Sequence, residues 1–170
     1  MEEEIKKGLE LIGDFIVLQL RTTLGFTDQN HNATGALSAS IKRRVNIKGD
    51  SFDIEIWALD YAEKIDKGQP VGTRVSSDVI LKWMQIRGIE NGNPEQKNIA
   101  FLIARAIYRE GTPTEGSLKY SRSKKKTEFI KVTLDQNAKE IFNMILKVFV
   151  ENIYGTLKNT VRNQQKNFSL

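Results

Sequence analysis

The chain has no cysteine, one histidine and only three prolines in 170 residues. Without cysteine, disulfides and thiolate metal sites are excluded, in keeping with folding in a reducing cytoplasm. The lone histidine, His31, lies among Asn and Gln in "TDQNHN". A histidine-rich metal centre is therefore excluded, and a Ser-His-Asp triad would have to use His31 without any G-x-S-x-G elbow to present the serine. Neither G-x-x-x-x-G-K-[ST] nor G-x-G-x-x-G occurs, so no phosphate-cradling loop is announced. The longest apolar runs, "FIVLQL" and "MILKVFV", fall far short of the ~20 residues of a membrane-spanning helix. The N-terminal "MEEEIKK" is acidic where a signal peptide would be basic, so the expectation is a soluble, unexported chain.

What is present is a moderate positive charge, formally +5, distributed unevenly. Three glutamates open the chain, while "KRR" at Lys42–Arg44 and "KYSRSKKK" at Lys119–Lys126 concentrate cations. Lysine and arginine gain affinity for nucleic acid by releasing counterions from phosphate. Solvated charge is the ordinary explanation of such short runs. Only Tyr120 stands beside "SRSKKK" as a possible stacking platform, so nonspecific phosphate contact survives and sequence-specific recognition has no support.

The length suits one domain with one ordinary core, here bounded at about 5–158 within a single unit of 1–170, with a flexible arm at 112–128 and a polar tail at 159–170. Ile5, Leu9, Ile12, Phe15, Ile16, Leu18 and Leu20 recur mostly at three- and four-residue steps, which predicts a helix that Gly25 ends. Thr34 is placed to cap a short turn carrying Leu37 and Ile41. "RRVNI" and "SFDIEIWAL" flank "KGD" and predict a hairpin over about 42–59; Phe52, Ile54 and Ile56 would face inward, and Asp53 and Glu55 outward. A second helix is predicted in "VSSDVILKWMQIRGI", closed by Gly88. A third is predicted in "QKNIAFLIARAIYREG", with Ile99, Leu102, Ile103, Ala106 and Ile107 at helical spacing before Gly111. "TPTEGSLKYSRSKKKTEF" reads as loop. A long last helix is predicted from Thr133 to Lys158, with Leu134, Ala138, Ile141, Phe142, Ile145, Phe149 and Ile153 on one side. The class is therefore α+β: a small antiparallel sheet packed against three to four helices.

Asp53, Glu55, Asp60, Glu63 and Asp66 lie close enough in sequence to suggest Mg²⁺ ligands of a nuclease. Against this, nucleases of that kind use an acid followed by Glu-x-Lys on a strand, whereas Glu63 and Lys64 are adjacent and helical. "DYAEKIDKGQPVG" reads instead as a corner: Tyr61 and Ile65 inward, Glu63, Lys64 and Lys67 in water, and Gly68 stopping the turn in the left-handed conformation before Pro70.

Three segments, in order, resemble the tail-completion and head–tail joining proteins of tailed bacteriophages. "ATGALSASIKRRV" is similar to that family's Thr-Gly-x-Leu-x-x-Ser-Ile leading into a strand. "DYAEKIDKGQP" is similar to its Tyr-Ala-x-x-Ile/Val-x-x-Gly corner, and "FLIARAIYREGTPT" to its Ala-x-x-Ile-x-x-x-Gly helix end. Together they span about Ala33 to Thr114. The resemblance implies a structural, non-enzymatic subunit of a virion neck, made in the host bacterial cytoplasm. Copies would form a homo-oligomeric ring around the DNA channel at the portal–tail junction and meet portal, neck or tail proteins, with no cofactor, metal, membrane or small-molecule substrate. Thr34, Gly35, Leu37, Ser40, Ile41, Tyr61, Ala62, Ile65, Gly68 and Gly111 carry over as fold and corner residues. Lys42, Arg43, Arg44, Arg122, Lys124, Lys125 and Lys126 would line the lumen near packaged DNA or grip a neighbour. A stand-alone nonspecific nucleic-acid-binding module and a Mg²⁺-dependent nuclease are the alternative readings.

Overall fold

A computed structural model describes residues 2–26, 34–49, 51–89, 95–118 and 128–167; the side chains of Phe26, Leu118 and 165–167 are outside that set. His31, the loop around it, the centre of the basic arm (119–127) and the end of the tail (168–170) lie outside the described residues. Helix α1 (Glu2–Phe26) is followed by α2 (Ala36–Ser40), strands β1 (Lys42–Lys48) and β2 (Ser51–Trp57), and α3 (Ala62–Lys67). Then come α4 (Ser77–Ile86), α5 (Glu95–Glu110), the single turn α6 (Glu115–Leu118) and α7 (Phe129–Asn167). The fold is thus α+β: mostly helical, with a two-stranded antiparallel sheet and a long C-terminal helix. Among the described residues no helix is long and apolar enough to cross a membrane.

Helix α1 is the axis of the core. Its Ile5, Leu9 and Ile12 are buried against Val45, Phe52 and Ile54 of the hairpin and Ile141, Met144, Ile145, Val148 and Phe149 of α7. Each such side chain contributes roughly 1.5–3 kcal/mol by leaving water. Further along α1, Val17, Leu20 and Leu24 form a second cluster with Leu37, Ile41, Ala62 and Phe129, the first residue of α7. Since α1's early turns meet Val148 and its last turns meet Phe129, the two helices run antiparallel. A β-carbon on Gly8 would lie 2.7 Å from Cγ1 of Val148, so this glycine sets how closely they approach. The hairpin closes the third side, with Phe52 edge-on to Phe149 at 5.6 Å.

The register pairs Val45 with Ile54 and Ile47 with Phe52 on the inner face, and Arg44 with Glu55 and Asn46 with Asp53 on the outer face. Helices α4 and α5 form an antiparallel pair with its own core of Ile80, Met84, Ala100, Ala104 and Ile107. Ser76 caps α4 by accepting the Val79 N–H at 3.3 Å.

Several expectations are corrected. Helix α1 continues through Gly25 to Phe26, and Leu18 faces water while Val17 and Leu24 are buried. On α5, Ile99 and Leu102 are exposed; the inner stripe is Gln96, Ala100, Ala104 and Ile107, because small alanines let α4 come close. The stretch read as loop after Gly111 contains α6, whose Glu115 N–H donates to Glu110 Oε2 at 2.9 Å. Helix α7 begins at Phe129 rather than Thr133 and runs on to Asn167, so residues 159–167 of the expected polar tail are helical. Leu134, Ala138, Phe142 and Ile153 are exposed rather than packed in the α7 core.

Candidate functional site

The three resembling segments converge on one node of the fold. In the first, Thr34 Oγ1 accepts the Ala36 N–H at 3.3 Å and Gly35 stands at the N-cap with φ +75°. This short turn delivers Leu37 and Ile41 into the cluster with Ala62 and Phe129. Ser40 Oγ donates to the Leu37 carbonyl at 2.7 Å and accepts the Leu59 N–H at 3.1 Å. One hydroxyl thereby joins the entry of the hairpin to its exit. Arg21 Nη2 donates to the Ile41 carbonyl at 2.8 Å and fixes the same corner to α1.

The second segment turns inward differently from its sequence expectation. Tyr61 is 40 % exposed and precedes α3, whereas Ala62 is buried and Ile65 packs against the cluster. Asp66, weighed above as a Mg²⁺ ligand, is only 6 % exposed. Its Oδ1 accepts the Ile130 N–H at 2.8 Å and its carbonyl accepts the Glu128 N–H at 3.0 Å. A carboxylate 64 residues away in sequence therefore serves the first turn of α7, where unpaired N–H groups and the helix dipole favour an anion.

The third segment crosses the second. Thr112 N–H donates to the Gln69 carbonyl at 2.9 Å, and Gln69 N–H donates to Thr112 Oγ1 at 2.7 Å. Gly72 N–H adds a bond to the Tyr108 carbonyl at 2.8 Å. At this crossing a β-carbon on Gly68 would strike the Thr112 carbonyl oxygen, and one on Gly111 the Gln69 carbonyl oxygen. Both glycines have φ +76°. Gly68 combines it with ψ 177°, an extended form rather than the expected left-handed helical stop. Gly68 and Gly111 are thus where two backbones touch, and they tether the α4–α5 pair to the main core.

No protein-family model, curated protein or solved structure matches this chain.

The candidate cations separate. Strand alternation turns Arg43 inward, where its Nε and Nη2 donate to the two carboxylate oxygens of Asp14 at 2.8 and 3.0 Å and Nη1 lies 3.4 Å from Glu10. Its stem lies over Gly13, where an added β-carbon would sit 2.9 Å from Arg43 Cδ. The Arg43 hydrogen bond holds the Asp14 carboxyl below its ordinary value of 3.8, and Asp14 raises Arg43 in return. Arg43 is therefore engaged in an ion pair within its own subunit. Lys42 and Arg44 are exposed on the other face, Arg44 opposite Glu55. Arg122 and Lys124–Lys126 lie outside the described residues.

The acids separate too. Asp53 and Glu55 line the outer face of β2, and Asp60 is exposed at the turn. Glu63 pairs with Lys67 at 2.8 Å, a hydrogen bond that lowers its carboxyl and raises the lysine. With Asp66 turned to α7, the five share no centre, and among the described residues no three His, Asp or Glu side chains are grouped to hold an ion. The Asp14–Arg43 pair and the Asp66 cap were missed from sequence. Arg43 had a readable signal, since it alternates with Val45 and Ile47; Asp66 had none, since its partner is distant.

Proposed function

We propose that this chain is a structural subunit of a tailed-bacteriophage neck, of head–tail connector, tail-completion or tail-terminator type. Copies surround the DNA channel at the portal–tail junction, and the subunit performs no reaction. The observation that carries this reading is the convergence of the three resembling segments. Residues chosen by order in the sequence, Leu37, Ile41, Ala62, Gly68 and Gly111, occupy one continuous packing and backbone-crossing node.

Such a subunit works by rigid placement. The node locks the hairpin, the start of α7 and the root of the α4–α5 pair to one another, so force carried through any one is shared. Lys42 and Arg44 on the outer hairpin face, beside Asp53 and Glu55, present cations that could meet DNA or a neighbour. A ring multiplies weak contacts, so little attraction per copy suffices. The basic residues Arg122 and Lys124–Lys126 take the same role in this reading.

The test is a phage production run with the coding sequence deleted and then restored in trans. Full heads lacking attached tails, repaired by complementation, are expected, with tagged protein located at the neck by electron microscopy. Normal tailed particles without it overturn the reading. Salt-sensitive DNA binding by the isolated monomer, or cleavage of DNA with Mg²⁺, would direct attention to the binding-module or nuclease alternatives instead.

A further inference from the structure

Helix α7 is apolar on two opposite sides, and only one is covered. The covered side consists of Ile141, Met144, Ile145, Val148 and Phe149, packed on α1 and the hairpin. Gly8 faces Val148 and α1 begins at Glu2. At ~1.5 Å per residue in both helices, α1 therefore ends near residue 154 of α7, and the remaining turns project past it. There the α1-facing side changes character: it becomes Asn152, Gly155, Thr156, Asn159 and Asn163, lining an open groove. Composition on that side follows coverage.

On the opposite side it does not. Phe142, Leu146, Val150, Ile153, Leu157 and Val161 recur at three- and four-residue steps and are 45 to 60 % exposed. This seam is ~29 Å long and continues through the projecting turns, where the other side has already become polar. It is not core spilling over; it is a second surface, written independently of the first.

The α4–α5 pair has the matching want. Two helices share a small core, and along one edge of the pair Val79, Trp83, Ile86, Ile99 and Leu102 remain 43 to 59 % exposed. The pair is antiparallel, since Gln96 at the start of α5 donates to the Ile89 carbonyl and Gly72 before α4 donates to Tyr108. Antiparallel packing puts these five on the same side, flanking the groove between the helices. A third helix laid in that groove would complete a bundle.

We propose that the occupant is α7 of a second copy: the outer seam of one subunit docks on the α4–α5 face of the next. The outer part of the chain's own seam, from Val150 onward, is out of reach. The pair is rooted by Gly68 and Gly111 beside Asp66, which holds Ile130 at the start of α7. Ile153 is ~35 Å further along α7, beyond the ~24 Å length of α5. Each surface leaves on the order of 500 Å² of apolar side chain in water, about the apolar share of one side of a standard interface. Two different surfaces of similar size on one chain fit a head-to-tail contact, which propagates and closes into a ring when the rotation allows; a two-fold dimer through either would leave the other wet. The inference rests on the ring reading only for that closure.

The absence of cysteine makes the contact directly testable. Full-length Leu157→Cys copies mixed with Leu102→Cys copies, treated with a short bismaleimide, are expected to give covalent heterodimers, and the Leu102→Cys, Leu157→Cys double variant a ladder. Ile153→Asp in the seam partner, exposed and so harmless to the fold by circular dichroism, is expected to abolish the cross-link. Cross-linking of Leu157→Cys copies with one another assigns an α7–α7 dimer and overturns the proposal. So does a mixture that stays uncross-linked at high concentration, whether or not rings are seen at phage necks by other contacts. A ladder from a protein that is dispensable for tail attachment would keep this contact and remove the neck reading instead.

Discussion

Replacing Asp66 by alanine tests whether the node is held by a single buried carboxylate. Asp66 is 6 % exposed and its Oδ1 receives the Ile130 N–H at 2.8 Å. Alanine leaves that N–H without its acceptor and removes an anion from the positive end of α7. Capping side chains are worth about 0.5–2 kcal/mol, and hydrogen bonds to charged groups lie at or above the upper end, so a loss of about 2 kcal/mol is expected. For a chain of this length each kcal/mol moves Tm by roughly 2–4 °C, which places the shift at about 4–8 °C. Asp66→Asn keeps an acceptor oxygen but not the charge, and should lose about half as much. Hydrogen exchange gives the local readout. The Ile130 amide should lose protection, while the Glu128 amide, which donates to the Asp66 backbone carbonyl at 3.0 Å, is an internal control. If Asp66→Ala melts like the wild type and Ile130 exchanges no faster, the carboxylate is not what anchors α7.

Other substitutions separate the remaining causes. Gly68→Ala and Gly111→Ala each force a β-carbon onto a carbonyl oxygen at positive φ, and each should cost more than about 2 kcal/mol in urea unfolding. Gly155→Ala, with open space around it on α7, should gain about 0.5–1 kcal/mol; equal effects at all three positions would contradict the close-crossing argument. Asp14 has its folded carboxyl lowered by Arg43, so its stabilisation is full above 3.8 and disappears as pH falls through the lower folded value. The stability gap between wild type and Asp14→Asn, under about 1 kcal/mol because Asp14 is exposed, should therefore be flat near neutrality and close only at strongly acid pH. A gap unchanged across the whole acid range would refute the pair's role. Arg43→Ala should lower stability by about 1 kcal/mol without changing the salt dependence of any DNA contact, whereas Lys42→Ala with Arg44→Ala should reduce that dependence and leave Tm alone.

Local periodicity carried much of the fold. Each long helix and the hairpin were legible because their apolar residues repeat at the spacing of the element, and the hairpin register follows from Val45, Ile47, Phe52 and Ile54 sharing a face. What periodicity leaves out is decided by partners distant in sequence. Asp66 looks like any turn acid until Ile130 is beside it, and Tyr61 looks like a core aromatic until smaller Ala62 takes the place. Gly68 and Gly111 read as stop signals, a local explanation, although the cause is a backbone crossing between segments more than forty residues apart. In the basic run, strand alternation alone places Arg43 on the face shared with Val45 and Ile47, so its separation from Lys42 and Arg44 was legible in the sequence.

Helix α7 shows a different limit. A helix with one apolar side declares that side by its spacing, but α7 satisfies the rule twice, and a stripe drawn through Leu134, Ala138, Ile141, Phe142, Ile145, Phe149 and Ile153 mixes residues from both. The structure separates them: Ile141, Ile145 and Phe149 belong to the core, and Phe142 and Ile153 to the outer seam. The division has a consequence for stability as well as for assembly. The projecting turns lack tertiary cover, and isolated helices of such length are marginal in water. Docking on a neighbour would supply the missing cover, so amide protection from Ile153 to Val161 should be weak in the monomer and rise with subunit concentration, while protection at Ile145 and Val148 stays constant. Concentration-independent protection along the whole of α7 would mean that the outer seam is stable in water by itself, and would remove the energetic reason for a second copy to cover it.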